Sequence, residues 1–321
     1  MIIFHNKNSI GFRGKEPPGN FENYLTIVSV GGSTAECALL SDDKTWTYVL
    51  GSKLDTVFDR VWINNAGLDG HSTFGHIVLM EDYILKLRPK IVLFLVGQND
   101  VGRRNYSDYD VEHIRRGISF QSAKSFLKSA AAHSEAFAFG LNIYRYLRAL
   151  TFGLPHQQID LKERKALNLP DAAISDVKRL HNERFLQGYE SRLTKLIRIC
   201  KEFGIKPVLI TQPGLVGEGT DKVTNVNLDN IKIDHNVNGR LMWEVLELYN
   251  DVTRKTGRSE GVLVIDLAKE MPKNSEFYYD YAHFTNDGAE KVAQIVCRYL
   301  VPYLMTEERG FLKKGENNRS P

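Results

Sequence analysis

The run IVLFLV at residues 91–96 limits the possible folds more than any other feature of the chain. Its residues are all apolar and it does not alternate, so a strand formed here must be covered on both faces. That is the situation of an inner strand in a parallel sheet. Weaker runs of the same kind occur at 25–30 (LTIVSV), 61–63 (VWI), 207–210 (PVLI) and 261–265 (GVLVI). Apolar residues at three- and four-residue spacing mark helices over 45–58, 73–87, 175–203, 241–255 and 287–300. Asn286 suits a helix start and Gly204 a helix stop. Strands alternating with helices predict an α/β fold: a five-stranded parallel sheet with helices on both sides.

Two segments break the alternation. Residues 103–174 form a long excursion that opens on a charged stretch (Arg103, Arg104, Arg115, Arg116). An alanine- and aromatic-rich helical pattern follows at 126–150. Residues 214–236 are rich in Gly and Asn with little periodicity. Loops of this length inside a compact domain are commonly lids or binding loops. The expected organisation is one domain over 1–321, with its core at about 22–305. To it are added a helical insertion at 103–174 and a possible lid loop at 214–236, both read as walls of a substrate site.

Composition excludes several classes of function. Lys+Arg 42 against Asp+Glu 39 leaves a formal charge of +3, too balanced for a nucleic-acid partner. Cys37, Cys200 and Cys297 are far apart and form no disulfide framework or Cys/His cluster, so they read as small buried hydrophobes. No P-loop, no Gly-x-Gly-x-x-Gly after a strand and no His-Glu-x-x-His occurs. His71 and His76 lack a third ligand at metal-site spacing and read as polar residues near a helix start. No cofactor and no metal are expected. No apolar stretch is long enough for a membrane span, and residues 1–20 are polar. The chain as given reads as soluble, with the cytoplasm and the bacterial envelope both open, as are membrane association and oligomeric state.

In an open parallel sheet, ligands bind outside the carboxyl ends of the strands, where strand order reverses. The residues after each apolar run are therefore the informative ones. They are Gly31-Gly32-Ser33-Thr34, Asn64-Asn65-Ala66-Gly67, Gly97-Gln98-Asn99-Asp100, and Asp266 with the later Asp280-Tyr281-Ala282-His283. Singly, each has a plain structural use: Ser33 as a helix cap, Gly67 in a turn, Asn99-Asp100 as turn residues. Together they supply a hydroxyl nucleophile, a carboxylate–imidazole pair and oxyanion donors at one sheet edge. A serine hydroxyl needs an adjacent base, and histidine titrates in the right range. Asp280 can accept from His283 Nδ1 and turn Nε2 toward Ser33. The Ser33 and Gly67 amides and the Asn99 side chain can hold the oxyanion.

This set resembles the SGNH (GDSL-like) hydrolase superfamily, whose four blocks supply Ser, Gly, Asn and His. The blocks here are VGGSTAE, NNAGLDG, VGQND and DYAHFTNDG, spanning about 25–300. Gly32 stands where the family's usual Gly-Asp-Ser has aspartate, as in bacterial members with Gly-Gly-Ser-Thr. The stretch at residues 8–18, NSIGFRGKEPP, is similar to the lead-in of that subgroup, in which an anchor or signal often lies upstream. The resemblance implies a three-layer α/β/α, flavodoxin-like sandwich and an acyl-serine esterase with Ser33, Asp280 and His283 as its triad.

The expected substrate is a small-molecule or glycan ester carrying an O-acetyl or other short acyl group. Gln98, Asp100 and Tyr281 are candidate contacts, with Asn64, Tyr278 and Tyr279 adding polar and aromatic surface nearby. A lysophospholipase or thioesterase, with 126–150 walling an acyl channel, is the alternative. So is an O-acetyltransferase using the same triad. A non-catalytic polysaccharide-binding or assembly protein is a fourth reading, against which the intact triad argues.

Overall fold

The computed structural model describes residues 3–105 and 158–314. The strands are β1 (Arg13–Gly14), β2 (Leu25–Gly31), β3 (Val61–Asn65), β4 (Ile91–Val96), β5 (Lys206–Thr211), β6 (Lys232–Asp234), β7 (Val237–Asn238) and β8 (Leu263–Ile265). The main sheet is six-stranded, in the order β1-β3-β2-β4-β5-β8, and β6 and β7 form a separate hairpin. All five expected strands are present and pair in parallel. In chain order they read 2-1-3-4-5, the flavodoxin-like arrangement. The sheet differs from expectation at one edge, where β1 pairs antiparallel with β3 through Arg13–Asn65 and Gly14–Asn64. Two residues, one of them glycine, are too short for a strand periodicity to be visible.

The non-alternating run behaves as its composition requires. Ile91, Leu93 and Leu95 of β4 enter one core, with Trp46, Leu50, Val292, Val296 and Leu300. Val92, Phe94 and Val96 enter the other, with Met80, Leu193, Leu196 and Tyr249. Each fully buried aliphatic of this kind contributes roughly 1.5–3 kcal/mol relative to exposure.

The helices flanking these cores are α1 (Ser33–Glu36), α2 (Trp46–Leu54), α3 (Thr73–Leu79), α4 (Asp171–Arg184), α5 (Leu186–Glu202), α6 (Gly239–Ser259), α7 (Leu267–Glu270) and α8 (Asn286–Glu307). The helix expected over 73–87 continues from α3 through a π turn, Met80–Ile84. The helix expected over 175–203 is two helices, broken at Phe185 (φ −125°, ψ −38°). Helix α8 starts at Asn286 as expected, capped by the preceding Thr285, whose hydroxyl accepts from the Gly288 amide at 3.0 Å. Among the described residues, no helix is long and apolar enough to cross a membrane.

Of the expected insertion, residues 106–157 lie outside the described residues, and with them Arg115, Arg116 and the 126–150 pattern. The stretch at 214–236 is held closely. Leu215, Val216 and Leu228 are core residues. The Asp221 carboxylate accepts from Thr224 N, Thr224 Oγ1, Ser275 N and Ser275 Oγ at 2.5–2.8 Å. Lys273 Nζ donates to the Val216 carbonyl at 2.6 Å. To act as a lid, this segment would have to break those bonds and expose those apolar side chains.

Candidate active site

The strand order reverses between β2 and β4, and their carboxyl ends carry Ser33 and Asn99. Residues from both ends of the sequence meet there. Ser33 opens α1 directly after Gly32, and its Oγ lies 2.7 Å from His283 Nε2. The other imidazole nitrogen, Nδ1, lies 2.6 Å from Asp280 Oδ2. Asp280 Oδ1 accepts from the Ala282 and His283 amides, each at 2.8 Å. One carboxylate therefore fixes both the turn that carries His283 and the imidazole itself. The turn is closed by Tyr279 N–H donating to the His283 carbonyl at 3.1 Å. The Tyr279 ring stacks on the imidazole, centroids 5.6 Å apart and planes 12° from parallel. Burial pushes the Asp280 carboxyl up. The hydrogen bond and charge of His283 and the two amides outweigh that, so its pKa lies below the ordinary carboxylate value.

Asn99 Nδ2 donates one hydrogen to the His71 carbonyl at 3.0 Å, which fixes the carboxamide plane and, among the described residues, leaves its second hydrogen uncommitted. Gly32 explains the missing aspartate. A Cβ at this position would lie 2.2 Å from Asn99 Nδ2 and 3.3 Å from the His71 carbonyl. The backbone before Ser33 thus packs directly on the Asn99 amide, and a side chain would displace it. Gly32→Ala is expected to lower kcat about 100-fold or more, comparable to losing an oxyanion donor. Steady-state kinetics beside a thermal melt would check this. Unchanged kcat would mean that the amide has room to move.

Several expected site residues are placed elsewhere. The Gly67 amide is not free to hold an oxyanion, because it donates to Asn65 Oδ1 at 2.8 Å. Asn65 Nδ2 in turn donates to the Ala35 carbonyl at 2.6 Å, so this pair splints α1 to β3. Asp100 also lines the small cavity beside Ser33, but it is 1% exposed and its carboxylate is taken up by Thr73 and Arg192. The Tyr281 ring packs on the core with its hydroxyl buried. Tyr278 lies in the core. Asn64 is buried and bonded to Asn8 and to the Lys15 carbonyl, facing the N-terminal strap. Gln98 does line the small cavity beside Ser33.

Arg13 escaped the sequence reading. It is buried, and its guanidinium donates to the carbonyls of Glu36, Cys37 and Leu40 and, through Nε, to Asp42 Oδ1, each at 2.7–2.8 Å, with Nη2 also paired with Asp42 Oδ1 at 2.8 Å. It thereby caps the end of the four-residue helix that begins with Ser33. A lone arginine between Phe12 and Gly14 gives no sequence cue to such a role.

A flavodoxin-like sheet with a Ser–His–Asp relay at its switch point describes a serine hydrolase outside the nucleophile-elbow class. The chain belongs to the GDSL-like lipase/acylhydrolase family, whose defining pattern matches residues 29–291, and is an ester-hydrolysing serine hydrolase. No curated protein sequence matches the chain. Among solved structures it is similar to an acetylxylan esterase from Geobacillus stearothermophilus (15% identity, TM-score 0.49, covering 85% of this chain and 93% of that one). It is also similar to a G-D-S-L family protein from Desulfitobacterium hafniense (11%, 0.46, 86% and 99%). A third is an α/β hydrolase enzyme from the metagenome of Lake Arreo, Spain (12%, 0.48, 86% and 95%). At these similarities none of the three bears on the substrate.

Proposed function

We propose that this enzyme removes a short acyl group, such as O-acetyl, from a polar or carbohydrate alcohol through an acyl-Ser33 intermediate. The Oγ–Nε2 separation of 2.7 Å, with Asp280 on the far side of the ring, carries the reading. His283 Nε2 takes the Ser33 proton as Oγ attacks the ester carbonyl, and the Asp280 carboxylate stabilises the imidazolium. The oxyanion is held by the Ser33 amide, the free hydrogen of Asn99 Nδ2 and a glycine amide. We assign that amide to Gly70 in place of Gly67, because it directly precedes His71, whose carbonyl anchors Asn99, and lies in a left-handed turn (φ 70°). The tetrahedral species collapses as His283 returns the proton to the leaving alcohol. Water, deprotonated by the same nitrogen, then releases the acid from Ser33.

The short acyl group is supported by the space next to the nucleophile. The cavity lined by Gly32, Ser33, Gln98, Asn99 and Gln212 is about 10 Å³, room for one water or one methyl group. A series of p-nitrophenyl esters from acetate to palmitate, run beside acetylated oligosaccharides, tests the reading. It expects kcat/KM to fall as the chain lengthens. A preference for octanoate or longer would overturn it in favour of a lipid-directed enzyme.

A further inference from the structure

Helix α5 carries an apolar stripe of Tyr189, Leu193, Leu196, Ile197 and Cys200, and within it sits a buried cation, Arg192. Its Nε donates to Thr73 Oγ1 at 2.7 Å, and its Nη2 donates to Asp100 Oδ1 at 3.1 Å. Thr73 Oγ1 passes the relay on, donating to Asp100 Oδ1 at 2.5 Å. The Thr73 amide also donates to that carboxylate, at 3.2 Å to each oxygen. The guanidinium is seated on the Phe74 ring, its carbon 4.0 Å from the centroid. Thr73 and Asp100 are almost completely buried, so this network exists to hold parts of the protein together.

The two parts it joins are the ones that aim Asn99. Asp100 follows Asn99 directly, and Thr73 lies two residues after His71, whose carbonyl receives the Asn99 amide. Arg192 closes the ring from a third element. We infer that Arg192 is a positioning residue for the oxyanion site: through Thr73 and Asp100 it locks the turn at 70–73 to the turn at 98–100 and so fixes the Asn99 amide. Without the cation, the carboxylate would be buried and unpaired, a condition relieved by shifting one of those turns. The inference rests on the proposed oxyanion role of Asn99, and its test separates the two.

The test is a double-mutant cycle on p-nitrophenyl acetate with Arg192→Met, Asn99→Ala and the pair, with melting temperatures recorded for all three. Arg192→Met is expected to lower kcat roughly 10- to 100-fold with KM within about twofold, since it acts on the transition state alone. In the Asn99→Ala background the same change should cost less than about threefold, because the group being positioned is gone. A purely structural arginine would give the same fold-loss in both backgrounds, and that result, or wild-type kcat in Arg192→Met, overturns the inference. If Arg192→Met does not fold, Thr73→Val removes the bridging hydroxyl while keeping the charge pair, and is judged by the same two comparisons. Wild-type kcat in Asn99→Ala would instead sink the oxyanion assignment, and the inference with it.

Discussion

Ser33→Ala is expected to lower kcat on p-nitrophenyl acetate by a factor on the order of 10⁵–10⁶ while leaving the melting temperature within a few degrees of wild type. The size follows from the mechanism. Without Oγ there is no acyl-enzyme, and only the oxyanion donors and binding remain to accelerate direct attack by water. The stability forecast follows from the surroundings. α1 is held by the Arg13 cap and the Asn65 splint, neither of which touches the Ser33 side chain. His283→Ala should reach a similar loss, and the double variant should be little worse than either, because the two groups act as one unit. A fluorophosphonate probe should label wild type at Ser33, mapped by mass spectrometry, and should not label Ser33→Ala. Substantial turnover in Ser33→Ala would end the acyl-serine reading.

Asp280→Asn should cost about 10⁴-fold in kcat with little change in KM. The carboxylate accepts from the imidazole Nδ1, whereas an amide can present its NH₂ there and favour the tautomer with Nε2 protonated, which cannot take the Ser33 proton. Asp280→Asn can keep the Ala282 and His283 backbone bonds through its remaining oxygen, so the loss reports the tautomer and not the turn. The wild-type pH dependence has a defined sign. Because the folded pKa of Asp280 is held below its ordinary value, the stability it contributes is present above the unfolded carboxylate pKa. It is lost as pH falls through the lower, folded value. Protonation of Asp280 should therefore not limit the enzyme in mildly acidic solution. Activity and unfolding measured across the same pH series would check this, and a loss of the fold at mild acidity traced to Asp280 would contradict it.

The sheet was legible in the sequence because a two-sided strand leaves no choice of composition. Ile91 to Val96 have to satisfy two cores at once, and no polar residue can be placed among them. Ser33, Asn99, Asp280 and His283 were legible because the ends of such strands converge, so that small and titratable residues there stand out together. What the sequence did not disclose were residues whose meaning is set by a partner distant in the chain. Gly67 and Gly70 lie three residues apart in the same block, and it is the bond from the Gly67 amide to Asn65 that takes Gly67 out of play. The Asp100 carboxylate is taken up by Arg192, 92 positions away on helix α5. Arg192 did leave a signal, a cation at the inward-facing step of the Tyr189–Leu193–Leu196 stripe.

The Ser33–His283 hydrogen bond joins positions 250 residues apart in the chain. Its nucleophile follows the first strand of the parallel order, and its base follows the last. Closing so long a connection costs only slightly more entropy than closing one half its length, so distance itself is no obstacle. The consequence is temporal. Local helices and neighbouring strands can form without bringing these two side chains together, but the relay appears only once the final strand has docked beyond β5. During refolding, esterase activity would therefore trail the return of helical signal.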